Sequence, residues 1–276
     1  MRPAELFGKR LLGLFSWHHK WKGEHQARVL NALQAGLEEI GPDHICITGD
    51  LTFTTHPAEV DAAAEWLEAL AEPQRISLVP GNHDAFVRGA LTYVHERWAP
   101  WMLDDEAGRQ QFPYLQRRGP VDIIGLSSAV ETPPAITWGR VGTEQLKRAR
   151  ALLERISSDR RPRLLLIHHP PQDGATRRSK ALSDRKALQS LLADLPVDLI
   201  LHGHLHRPVR ASIESKSGPI PVLGASSGSA IGRRYSSAHF HVLDIDDAGS
   251  GCAIGVRHSR YDPNRERFVL GERETL

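Results

Sequence analysis

The sequence predicts an α/β fold with a block of antiparallel strands added towards its C-terminal end. Three observations carry that reading. Short apolar runs at 44–48, 76–79, 163–167 and 197–201 look like buried strands, and each runs straight into a cluster of polar residues. Stretches with apolar residues at helical spacing separate them. After residue 206 the helical spacing stops, and short strands follow one another with only turn residues between.

The composition is that of a soluble globular chain. There are 276 residues, enough to bury a sizeable core, with 40% hydrophobic and 25% charged residues. A formal net charge of +2 gives no electrostatic footprint for nucleic acid or a membrane surface. Cys46 and Cys252 share no motif, so no disulfide framework exists, and Cys46 reads as a small buried hydrophobe. No apolar run approaches the ~20 residues of a membrane span. The stretch Leu11-Leu12-Gly13-Leu14-Phe15 is too short for a signal sequence. A cytoplasmic location is the expectation. The compositional outlier is histidine, with 15 residues.

In chain order, residues 1–23 show no clear periodicity. A helix is expected over 24–39, where Val29, Leu30, Leu33 and Leu37 share a face and Gly41-Pro42 stops it. The strand at 44–48 ends in Gly49-Asp50. An amphipathic helix at 58–70 leads to the strand at 76–79 and to Pro80-Gly81-Asn82-His83-Asp84, a right-handed βαβ unit. Residues 85–120 read as a helix followed by an irregular segment over a site. A strand at 121–126 and a helix at 143–156, capped by Thr143, precede the strand at 163–167 and His168-His169-Pro170-Pro171. A basic loop at 172–183, a helix at 184–192 and the strand at 197–201 lead into His202-Gly203-His204-Leu205-His206. Strands at 209–213, 220–224, 239–245 and 253–261 complete the domain, taken as 24–261, with 1–23 as an N-terminal segment and 262–276 as a tail.

The chemistry sits at the strand ends. In α/β sheets the ligand site lies beyond the carboxyl ends of the strands, so Asp50, Asn82 with His83 and Asp84, His168, and His204 with His206 should converge. Carboxylate, amide oxygen and imidazole together suit Mn, Fe, Zn or related divalent ions, and the absence of cysteine argues against a structural zinc site. A carboxylate such as Asp50 can bridge two cations ~3.5–4 Å apart, which would clamp the oxygens of an in-line displacement and generate a bridging hydroxide that attacks phosphorus. His83 would protonate the leaving alkoxide or stabilise phosphoryl charge, and Asp84 would orient His83 through a hydrogen bond.

Gly49-Asp50, Gly81-Asn82-His83-Asp84, His168-His169-Pro170 and Gly203-His204-Leu205-His206 together resemble the calcineurin-like metallophosphoesterases in both order and spacing, over roughly residues 24–245. The resemblance implies a four-layer α/β/β/α sandwich of two mixed sheets flanked by helices, with two divalent metals in the cleft. It further implies that Asp50 bridges both metals, that Asn82, His168 and His204 hold one, that His206 belongs to the other, and that His83 is the acid. The flavour is that of the bacterial branch hydrolysing cyclic nucleotides and other phosphodiesters.

One motif of that family does not match. Its first motif, Asp-x-His at the end of the first central strand, has no counterpart before Asp50; no aspartate precedes Asp43, and His18, His19 and His25 are the early candidates. The expectation is a missing first strand, with Met1 an internal or misassigned start or the gene truncated, and one metal site weakened to Asp50 and His206. Surface or packing roles are expected for His18 and His19.

Other residues have blander readings. His169 and His202 should support the site rather than ligate. Phe53 receives no role. Arg177, Arg178, Lys180 and Arg185 read as a solvated basic loop. Ser226, Ser227 and Ser229 read as turn residues. Trp17, Trp21, Trp98 and Trp101 read as packing residues. The function expected is a metal-dependent phosphoesterase acting on a small phosphorylated molecule, a phosphodiester or phosphomonoester. The alternative is a truncated, inactive or single-metal remnant that binds a phosphate ligand or a partner.

Overall fold

The computed structural model describes residues 9–159, 161–246 and 253–276. Cys252 and the expectation about Met1 fall outside them. The elements run α1 (Lys9–Ser16), a five-residue π-helical turn (Trp17–Trp21), α2 (Ala27–Ile40), β1 (Ile45–Ile47), α3 (Pro57–Leu70), β2 (Ile76–Leu78), α4 (Ala90–Arg97), β3 (Leu103–Asp104), β4 (Arg109–Gln110), β5 (Tyr114–Arg118), β6 (Val121–Gly125), α5 (Thr143–Arg155), β7 (Arg163–Leu166), α6 (Arg185–Asp194), β8 (Leu199–His202), β9 (Val209–Ile213), β10 (Ile220–Gly224), β11 (His239–Asp246), β12 (Ala253–Asp262) and β13 (Arg267–Thr275).

A six-stranded mixed sheet, ordered β5-β6-β7-β8-β10-β9, is the spine of the molecule. β6, β7, β8 and β10 run parallel, and β5 and β9 close the edges antiparallel. The pleat sends alternate residues to opposite faces. Leu165, Ile167 and Ile200 pack against Leu152, Leu153 and Ile156 on and just after α5 and Leu188 and Leu192 of α6. Leu164, Leu166, Leu199 and Leu201 face the other way, into a larger core shared with β1, β2, α3 and residues Ile254 and Val256 of β12. α2 covers the outer side of the β11-β12-β13 sheet, with Val29 against Tyr261 and Phe268. The result is the expected α/β/β/α layering. β1 and β2 pair in parallel across α3, as the βαβ reading requires. Among the described residues β1 has a strand neighbour on one side only, and so does β11.

Four expectations need correction. Residues 9–21 are helical, because α1 docks on the loops after β1 and β6: Lys9 donates to the Thr132 carbonyl at 2.9 Å, and Arg10 donates to the carbonyls of Thr54 and Thr55 at 3.3 and 2.8 Å. The segment 85–120 is not a cover over the site. Trp98, Trp101 and Met102 are fully buried in the larger core, and Tyr114–Arg118 form an edge strand that hairpins onto β6. Residues 262–276 are not a tail, since β13 pairs with β12 along Asp262 to Gly255. Its Arg- and Glu-rich sequence suits an edge strand, where charge discourages pairing with other chains. Cys46 is only partly buried by area, yet it packs on the core, and burial pushes its thiol up to about 12.

Candidate active site

Four loops meet beyond the carboxyl ends of β1, β2, β7 and β8. The first two touch backbone to backbone. Gly49 has φ 90°, and a Cβ there would lie 2.4 Å from the Gly81 nitrogen; a Cβ on Gly81 would lie 2.2 Å from Asp50 Oδ1. Only glycine allows this approach. Asp84 ties the two loops together. Its fully buried carboxylate accepts the N–H groups of Asp50 (2.7 Å), Gly81 (2.8 Å) and Thr52 (3.0 Å), with the Thr52 hydroxyl at 2.9 Å. Burial, then the Asp50 charge, push its carboxyl up to about 6 against the pull of those donors. The expected bond from Asp84 to the His83 ring is absent. Asp84 instead fixes the loops that carry Asp50 and Asn82.

His83 is held differently. Its backbone N–H donates to Asp50 Oδ1 at 2.8 Å, and its Nδ1–H donates to the Phe53 carbonyl at 2.8 Å. Its ring lies between Phe53, 5.0 Å away at 26°, and Phe86, 5.7 Å away at 8°. The Nδ1 bond leaves Nε2 as the nitrogen open to a ligand. Phe53, given no role from sequence, forms one wall of this slot. Its loop is fixed from α3, where Glu59 accepts the N–H groups of Thr54 and His56 at 2.8 and 3.3 Å.

The ligand-type residues converge as the strand ends require. His168 Nδ1–H donates to the Thr48 carbonyl at 2.6 Å, which turns Nε2 towards Asp50 Oδ2 (3.3 Å) and Asn82 Oδ1 (3.2 Å). Such a carbonyl partner sets the tautomer of a metal-binding histidine. His204 Nδ1 lies 2.8 Å from Asn82 Oδ1, and its Nε2 is buried with no hydrogen-bond partner. Lone pairs of Asp50, Asn82 and His168 therefore face one another, an arrangement that a proton or a cation satisfies. Burial works to raise the Asp50 carboxyl, but His168 and His83 hold it well below the usual range. Burial likewise opposes the charged form of His168, and Asp50 outweighs it, raising the imidazole. Asp50, His204 and His206 have φ of 60°, 68° and 51°. Left-handed backbone at three non-glycine residues is uncommon strain, and it concentrates at functional sites.

His206 stands apart from that group. Its Nδ1 is buried without a partner, and its ring lies 5.4 Å from Trp21, 5.3 Å from Tyr235 and 6.3 Å from His25. Among the described residues it belongs to no cluster of three ligand-type side chains. Trp17 and Trp21, read from sequence as packing residues, belong to this aromatic group. Trp21 stacks on Tyr235 at 5.2 Å and 4°, and Trp17 packs on Phe53 at 5.1 Å. His25 is the early histidine that reaches the site, with Nδ1 2.8 Å from Ser229 Oγ, while His18 is exposed. The serine loop thus positions His25 instead of only turning the chain.

His169 and His202 have their ring nitrogens engaged by other groups. His169 is fully buried, with Nδ1 2.8 Å from Ser128 Oγ and Nε2 3.1 Å from the Thr137 carbonyl, so both nitrogens are engaged although the ring neighbours His168 and His204. Burial first, then His168, push it down to about 3. His202 bonds the Gly203 carbonyl and Gln172. Arg177, Arg178 and Lys180 are exposed, and Arg185 pairs with Asp173 at 2.8 Å.

A carboxylate, an amide oxygen and two imidazoles, one with an orphaned buried nitrogen, fit a divalent ion of the Mn, Fe or Zn type. Such a cluster at the strand ends of a layered α/β/β/α sandwich is a candidate metal centre. The calcineurin-like phosphoesterase family model matches residues 17–208, and the chain belongs to that family. It is 30% identical over 182 residues to a probable cyclic nucleotide phosphodiesterase from Synechococcus sp.; the match takes in 64% of this chain and spans 62% of the relative's length. A dimetal phosphatase from Danio rerio shares the fold, with a TM-score of 0.54 at 14% identity, over 87% of this chain and 88% of that one.

Proposed function

We propose that the protein is a metal-dependent phosphoesterase acting on a small phosphorylated molecule, with phosphodiesters of the cyclic-nucleotide kind the favoured class. The observation that carries the reading is the meeting of Asp50, Asn82, His168 and His204 beside a histidine slot open at one nitrogen. The name of the Synechococcus relative supports the substrate class.

A divalent ion held there would supply Lewis-acid neutralisation of phosphoryl charge and lower the pKa of water. Asp50, Asn82, His168 and His204 would hold it. The chain's own residues do the rest. His83 delivers a proton from Nε2 to the leaving oxygen, while its Nδ1–H stays on the Phe53 carbonyl. Phe53 and Phe86 fix the ring plane. Asp84 keeps Asp50 and Asn82 in register. Trp21, Tyr235 and His25 border His206.

A second reading is a single-metal protein that binds phosphate without turnover. It is favoured by His206, which has no cluster of ligand-type partners among the described residues. The two separate on bis-p-nitrophenyl phosphate with added Mn2+, beside an Asp50→Ala control. Metal-dependent turnover lost in the control supports the phosphoesterase. A folded chain that binds Mn2+ and phosphate with no turnover supports the second reading. Comparing cyclic AMP with p-nitrophenyl phosphate then tells diester from monoester preference.

A further inference from the structure

Three histidines outside the site just described stand together on the C-terminal sheet. His239 and His241 are alternate residues of β11, so the pleat puts them on one face. His258 of β12 lies directly opposite His241 in the antiparallel register. The three rings come within 4.4, 4.9 and 5.8 Å of one another, centroid to centroid. One nitrogen of each lies within 4.8 Å of the others.

The hydrogen bonding gives two of the rings partial occupation. His241 Nε2–H donates to the Gly224 carbonyl at 3.3 Å, so its Nδ1 lone pair accepts the His258 Nδ1–H at 2.8 Å, a proton that a bound ion would displace. A carbonyl partner on the far nitrogen is how metal-binding histidines are oriented. His239 is 4% exposed; its Nδ1 accepts the Ser226 N–H at 3.4 Å, and its Nε2 is buried with no partner, so ligation through Nε2 exchanges the Ser226 bond for the ion. A buried, orphaned ring nitrogen is costly unless something occupies it. Neither a thiolate nor a carboxylate belongs to the cluster.

We propose that His239, His241 and His258 form a second transition-metal site, separate from the Asp50 centre, that takes Zn2+, Ni2+ or Cu2+ through three imidazole nitrogens and leaves one position for water or an added ligand. All-nitrogen imidazole sites suit these ions and not Mg2+ or Ca2+. Nitrogens bound tetrahedrally at ~2.0–2.1 Å stand about 3.3 Å apart, so the His241 and His258 nitrogens, 2.8 Å apart, open by about 0.5 Å while His239 closes on them by up to about 1.5 Å. The ion would staple β11 to β12 beside the end of β10.

The test uses the full chain with Asp50→Asn and His204→Asn, which removes two donors of the first centre. Titrated with Cu2+, this variant is expected to take one ion per chain with nitrogen hyperfine structure in its electron paramagnetic resonance spectrum. Adding His239→Gln and His258→Gln should weaken that ion about 100-fold or more, since losing a direct ligand costs at least as much as losing a supporting one. No nitrogen-ligated copper in the first variant, or unchanged binding in the second, would overturn the proposal. If the second variant fails to fold by circular dichroism, footprinting decides. Diethylpyrocarbonate labelling of the first variant should fall at all three histidines when Zn2+ is present. Labelling unaffected by Zn2+ refutes the site.

Discussion

Glu24 is 2% exposed and sits just before α2, where it holds the loop that carries Tyr235. Its Oε1 accepts the Gly232 N–H at 3.1 Å, and its Oε2 accepts the N–H groups of Arg233 at 3.1 Å and Arg234 at 3.0 Å. Glu24→Gln can keep its one oxygen in the Oε2 place. The new amide then faces the Gly232 N–H, donor against donor, and one bond is lost, a local cost of about 1–3 kcal/mol. Glu24→Ala removes both acceptor oxygens and with them all three bonds. Three orphaned donors would cost several kcal/mol if they stayed buried, but residues 232–235 are exposed, so the cheaper outcome is for the loop to lift off and let water take those bonds. Global stability should therefore fall by no more than about 1–3 kcal/mol, while the loop opens locally. Hydrogen exchange reads this residue by residue. Amides 232–234 should lose protection in Glu24→Ala, with tryptophan emission shifting as Trp21 loses Tyr235. Amides still protected as in the parent chain would refute the assignment of Glu24 as the clamp.

Three other outcomes follow from the site. Gly81→Ala places a methyl group 2.2 Å from Asp50 Oδ1 and 2.6 Å from the Asp50 nitrogen, so divalent-metal affinity measured by calorimetry should collapse while the far-ultraviolet circular dichroism persists. His83→Gln should lower kcat on a phosphodiester by about 10²–10⁴-fold with metal content unchanged, because it removes a proton donor and no ligand; a KM effect alone would contradict that role. The metal-free protein should lose stability as pH falls from about 6.5 towards 4. His44 and His239 are pushed down to about 4 and His241 to about 3, in each case chiefly by burial, so the unfolded chain takes up protons first. A urea midpoint that stays flat or rises between pH 6.5 and 5 would reverse the sign.

The strand-end motifs were legible because each follows an apolar run short enough to be only a buried strand. That put Asp50, Asn82, His168 and His204 in one place before any coordinate was known. What sequence hid was everything fixed by tertiary packing. Trp17 to Trp21 carry no periodicity because their partners are Phe53, His206 and Tyr235, far along the chain. Tyr114-Leu115-Gln116-Arg117-Arg118 looks too polar for a strand, yet Gln116 is buried because Ser77 and the Leu103 carbonyl satisfy its amide. β13 alternates weakly for the same reason that edge strands do, being largely exposed. Asp84 was rightly placed beside the chemistry but given the wrong partner, since nothing in Asn-His-Asp reveals that its carboxylate turns back to Gly81, Asp50 and Thr52. His239 and His241 fall inside an expected strand, and only the β11–β12 register brings His258 to them.

The contacts that assemble the Asp50 centre have a kinetic consequence. His168 reaches Thr48 across 120 residues, and His204 reaches Asn82 across 122. Both pairings join the loops after β1 and β2 to the ends of β7 and β8, and contacts of such long range are slow to nucleate. No fragment shorter than residues 50–204 carries the whole centre. An ion held by Asn82 and His204 would act as a clasp between the N-terminal and C-terminal halves. It would add RT ln(1 + [L]/Kd) to the native state alone, about 2.7 kcal/mol at a hundredfold excess over Kd. Refolding yield, more than refolding rate, is where that clasp should be felt.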